Sequence, residues 1–105
     1  MQSILQDTDD IFKQIVAFTL KNPVSIYAKD WYAGITCDPE RRLFDEHKVD
    51  KNDARSYIAI ETSNADVARK AEAKLLGSGF DGGPGGGEDD CVFVYAYLKT
   101  ASTEE

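Results

Sequence analysis

The sequence predicts an α+β fold, a small mostly antiparallel sheet of three to four strands flanked by helices. Three observations predict it. Three segments read as helices, four β-rich runs are set off by turn signals, and a length of 105 residues allows one core and no second independent domain. The chain divides into an N-terminal helix (1–23), a core (24–98) that includes a Gly-rich loop (77–90), and a flexible tail (99–105).

Thr8, Asp9 and Asp10 supply capping and acidic first-turn residues ahead of Ile11, Phe12, Ile15, Val16 and Leu20, an apolar helical stripe that Asn22-Pro23 stops. Val24 to Ala28 and Trp31 to Thr36 then read as a hairpin or as two short adjoining strands. Asp38-Pro39-Glu40 combines an N-cap, a first-turn proline and an acid, so a helix should begin there, carry Leu43, Phe44 and His47, and end near Val49. Ser56 to Thr62 alternates as a strand. Ser63 is expected to cap a helix running through Ala65 to Leu76, which Gly77 ends. The 77–90 stretch holds seven of the eight glycines and predicts a loop of wide backbone freedom. Val92 to Leu98 is a strand, aliphatic on one side and aromatic on the other, and Thr100 to Glu105 is expected to fray.

Composition narrows the function classes. A formal net charge of −7 has the wrong sign for a protein that coats nucleic acid through bulk electrostatics. The charge is uneven, however: residues 41–74 hold eight of the twelve Lys/Arg, so an anionic ligand would be tolerated there. No apolar run approaches bilayer length and the first ten residues lack a basic n-region, so a soluble cytoplasmic chain without a membrane partner is expected. Cys37 and Cys91 stand alone, without the spacing of a zinc site; a disulfide between them is possible but not indicated, and they are read as reduced thiols serving as small apolar residues.

Candidate chemistry gathers after the second β-rich run. Tyr32 faces away from Trp31, and Gly34 lets a backbone or a ligand come close beside it. Arg42 could reach past the strand end, where its fork fits two phosphate oxygens; the competing arrangement is a surface pair with Glu46. Arg41 lies about 100° around the helix, so at most one of the two arginines should face a site. His47 shares a helical face with Leu43. Glu72 borders the apolar stripe of its helix and needs a partner there: an arginine, a hydrogen-bond donor or a divalent cation such as Mg²⁺. The Gly-rich loop lacks P-loop order and ends in Glu88-Asp89-Asp90, so it reads as a rim or lid, with calcium binding by Asp81, Glu88, Asp89 and Asp90 a weaker option.

Taken together these residues resemble the GIY-YIG nuclease superfamily over roughly 24–98. Tyr32-Ala33-Gly34 is similar to its second tripeptide, Ser25-Ile26-Tyr27 is the nearest match to its first, Arg42 stands at the usual spacing, and Ala68 to Leu76 resembles the segment carrying the metal-binding glutamate. The resemblance implies a metal-dependent endonuclease hydrolysing phosphodiesters. Tyr32 would orient the attacking water, Arg42 would stabilise the phosphate, and Glu72 would hold one divalent ion, Mg²⁺ or Mn²⁺. Tyr27 and His47 would complete the catalytic set, and Arg41, Gly34 and Lys48 would contact a nucleic-acid substrate, DNA rather than RNA. The first tripeptide is degraded and closer to Tyr32 than usual, His47 lies one residue late, and the late asparagine has no clear counterpart. The alternative is therefore a catalytically degenerate binding or interaction module, with a protein partner or homodimer.

Overall fold

The computed structural model describes residues 8–82 and 90–104. Helix α1 (Thr8–Leu20) forms where its stripe requires, burying Ile11, Ile15 and Thr19. Strand β1 is Trp31–Thr36, β2 is Tyr57–Glu61, helix α2 is Ala65–Gly77 and β3 is Phe93–Leu98. The sheet order is β1-β3-β2, with β3 central and antiparallel to both neighbours. The expected α+β class is therefore present, with three strands among the described residues.

Val24 to Ala28 is not a strand. Asn22 Oδ1 accepts from the Val24 and Ser25 amides at 2.7 and 3.1 Å, and Ser25 Oγ accepts from the Tyr27 amide at 3.1 Å. These side chains occupy the donors a ladder would need, and Ala28–Asp30 closes into a 3-10 turn before β1. Asp38 does cap the next helix, accepting from the Arg41 amide at 3.2 Å. That helix continues as a π-helix over Arg41–Glu46 and ends at His47, whose amide reaches five residues back to the Arg42 carbonyl. The cap of α2 is Asn64, accepting from the Val67 amide at 2.9 Å, not Ser63. Its reversal comes at Gly79, where φ is +109°, two residues beyond Gly77.

Alternation along the strands builds two different cores. Trp31, Ala33 and Ile35 of β1 and Val94, Ala96 and Leu98 of β3 face α1 and α2, packing on Ile11, Ile15, Ala68, Ala71 and Leu75. Tyr32, Tyr57, Tyr95 and Tyr97 face the other way, onto Leu43, Phe44 and Val49 around the π-helix. The aromatic side of β3 is thus interior, with Tyr95 and Tyr97 buried, and offers no dimer surface.

Cys37 and Cys91 are joined in a disulfide, which corrects the expectation of two free thiols. They follow β1 and precede β3, strands 54 residues apart along the chain that the sheet makes neighbours, a proximity sequence spacing does not reveal. Near the end of the described residues the Glu104 amide donates to the His47 carbonyl at 2.7 Å. Residues 83–89 of the Gly-rich loop lie outside the described residues, and with them Glu88 and Asp89 of the calcium reading; of its other two members, Asp81 pairs with Lys99 at 2.9 Å and Asp90 lies beside the Cys37 sulfur at 3.9 Å.

Candidate functional site: a tyrosine and histidine cluster on the sheet

The aromatic face converges on His47. The short helix begins at Asp38 and ends at His47, so its last residue is turned under the sheet and buried. Ring centroids of Tyr32, Tyr95 and Tyr97 lie 5.0, 5.5 and 4.7 Å from the imidazole. Nδ1 is 2.6 Å from the Glu104 carbonyl, an oxygen that can only accept, so Nδ1 carries a proton. In the neutral ring Nε2 is then the acceptor, and the Tyr95 hydroxyl donates to it at 2.8 Å. The Tyr97 hydroxyl lies 3.1 Å from Nδ1 and donates to the Glu104 carbonyl at 3.3 Å. Both imidazole nitrogens are thereby engaged within the protein.

Gly34 makes this arrangement fit. It pairs with Tyr95 across the sheet, and a Cβ at Gly34 would lie 2.6 Å from the Tyr95 hydroxyl oxygen. The close approach that glycine permits is thus taken by the chain's own phenol. Burial pushes the Tyr95 phenol well above its ordinary pKa; ionisation of the neighbouring Tyr32 would add to this, Arg42 opposes it, and Glu72 and Glu46 add smaller pushes.

The contacts of Arg42 and Glu72 differ from those a hydrolytic site requires. Arg42 donates to Glu46 at 2.9 Å, and Arg41 meets the other oxygen of the same carboxylate at 3.2 Å. These are partly exposed surface pairs of small energetic content. Glu72 is half-buried, and desolvation raises its carboxyl above the usual range while Arg69 opposes the shift. Lys48 is exposed in a left-handed conformation, φ +61°, where it ends the π-helix. Tyr27 is 63 % exposed on the irregular segment before β1 and contributes no ring to the His47 cluster.

Among the described residues, the one group of three that could ligate a metal is Cys37, Asp90 and Cys91, and its two sulfurs are bonded to each other. A disulfide leaves no thiolate for an ion. Glu72 could hold a divalent cation only as a lone carboxylate completed by water, a mode Mg²⁺ accepts.

Three members of the cluster were not singled out from sequence as site residues. Tyr95 and Tyr97 signal themselves by the aromatic alternation of the last strand, once one asks what that side packs on. Glu104 gives no local signal, because its part is a backbone carbonyl delivered by the chain end. No protein-family model, curated protein or solved structure matches this chain.

Proposed function

We propose that this chain is a non-catalytic interaction module. The observation that carries the reading is the closure of the His47 cluster. An imidazole with both nitrogens engaged, beneath a phenol that fills the approach over Gly34, has no free position from which to activate water or protonate a leaving group. The two arginines that would grip a phosphate share one carboxylate. The acidic balance of the whole chain supports the same reading, since a stand-alone nucleic-acid enzyme gains encounter rate from positive charge.

A second reading, a GIY-YIG-type endonuclease using Mg²⁺ or Mn²⁺, is favoured by one observation: the Tyr32 and His47 rings lie side by side, 5.0 Å between centroids. One experiment separates the two. Supercoiled DNA is incubated with the protein and Mg²⁺ or Mn²⁺, beside Glu72→Ala prepared identically. The interaction module gives no nicking above the buffer control; nicking that disappears in Glu72→Ala establishes the nuclease.

A further inference from the structure

The two edges of the sheet are finished differently. The outer edge of β1 is met by the chain after α2: Asp81 donates its amide to the Trp31 carbonyl and accepts from the Ala33 amide, both at 2.8 Å. On β2, Ser56 and Thr62 bond inward to Leu98 and Val92. With Ile58 opposite Ala96 and Ile60 opposite Val94, alternation turns the amides and carbonyls of Tyr57, Ala59 and Glu61 outward. Among the described residues nothing pairs with them. Among the described residues this five-residue strand carries no proline, lysine or bulge, three of the features by which proteins protect such edges, and its one charge is Glu61 at the end.

Beside this edge lies a groove of about 450 Å³ lined by Pro39, Leu43, Phe44, Tyr57 and Ala59, with Lys51 at its margin. Ala59 is exposed and small, so a second main chain can come close at the middle of the strand. The charges at the ends are complementary to themselves. Arg55 is exposed just before the strand, Lys51 stands over the Phe44 ring with its carbonyl bonded by the Tyr57 hydroxyl, and Glu61 is exposed at the far end.

We propose that β2 is the docking edge for a second copy of this chain, pairing antiparallel with its own counterpart about a two-fold axis through Ala59. The result is one continuous six-stranded sheet. In that register Tyr57 of each copy lies opposite Glu61 of the other, so each Glu61 carboxylate arrives beside the other copy's Arg55 and Lys51, twice by symmetry. The Asn22 side-chain amide donates to the Arg55 carbonyl at 2.8 Å. That bond anchors the exposed segment bearing Val24, Ile26 and Tyr27 at the end where the second copy's strand finishes. The proposal rests on the interaction-module reading and names the partner; it stands or falls on mass, whereas that reading stands or falls on DNA cleavage.

The test is the mass of the full chain by light scattering or sedimentation, followed up to about 1 mM. Wild type should reach twice the monomer mass. Ala59→Pro removes an outward amide that β3 does not use, and should leave the circular dichroism unchanged while giving monomer throughout. Arg55→Glu and Glu61→Arg should each weaken the dimer about tenfold, and the double exchange should restore it. A wild type that stays monomeric to that concentration overturns the proposal. So does a dimer that survives Ala59→Pro, or one that the charge exchange does not rescue, because either places the contact elsewhere.

Discussion

Trp31 and Tyr32 are adjacent in sequence and lie on opposite faces of one strand, and their surroundings differ. Around Trp31 the sheet meets α1 and α2 through aliphatic and small side chains, with Phe18 edge-on at 6.0 Å and the indole N–H bonded to the Ser25 carbonyl at 3.3 Å. Around Tyr32, whose ring packs on theirs, Tyr95, Tyr97 and His47 are joined by hydrogen bonds and closed by the Glu104 carbonyl. The first face gains stability from burial, which scales with area and forgives small changes of shape. The second is a polar network whose members depend on one another, so losing one atom strands another. A cluster of site-like residue types therefore acts here as an internal lock.

The comparison predicts a graded series of effects. Trp31→Ala should be the most damaging single change, about 3–5 kcal/mol by denaturant unfolding, because it empties the helix-covered core. Reducing the Cys37–Cys91 disulfide should follow at about 2–4 kcal/mol, through the freedom returned to the unfolded chain between the two strands it joins. A reduced protein of unchanged stability would mean that the sheet alone fixes this end.

Tyr95→Phe removes one oxygen and almost no volume, yet should lose about 1–3 kcal/mol, since a buried imidazole nitrogen loses its donor. On the aliphatic face a change of one atom should cost less. The pH dependence has a definite sign: the Tyr95 phenol is raised in the fold, so the native state keeps its proton longer than the unfolded chain does. Its contribution is complete below the ordinary phenol range near pH ~10 and is lost progressively as pH climbs from there through the higher value the phenol has in the fold. Tyr95→Phe should unfold with a shallower alkaline limb than wild type.

The smallest effect belongs to Glu72. Its carboxyl is also raised, so the ionised form disfavours the fold once pH exceeds the ordinary carboxyl range of about 4–5. Glu72→Gln should raise the melting temperature slightly at pH 7, and the difference should vanish below that range. A lowered melting temperature at pH 7 would show instead that the carboxylate is held by a favourable partner.

Much of the fold was legible because it rests on local chemistry. The stripe of α1, the Asp38 cap and the alternation in Trp31–Thr36 and Phe93–Leu98 all state their structure in neighbouring residues. Val24 to Ala28 misled because β-rich side chains there are overruled by Asn22 and Ser25, whose polar atoms take the strand's donors. For the site, sequence supplied the residue types, and Tyr32 and His47 do meet. It could not supply their state. That Arg41 and Arg42 share Glu46, that Tyr95 covers Gly34, and that Glu104 closes His47 are all decided by long-range folding.

The closed state of His47 can be read directly by long-range ¹⁵N–¹H correlation spectroscopy of its imidazole, in wild type and in Tyr95→Phe. The structure predicts a proton on Nδ1 in slow exchange with water, and an Nε2 resonance that moves when the Tyr95 hydroxyl is removed. An imidazole protonated on Nε2 alone, or one whose Nδ1 proton exchanges freely, would contradict the account and leave the ring open to serve as a base.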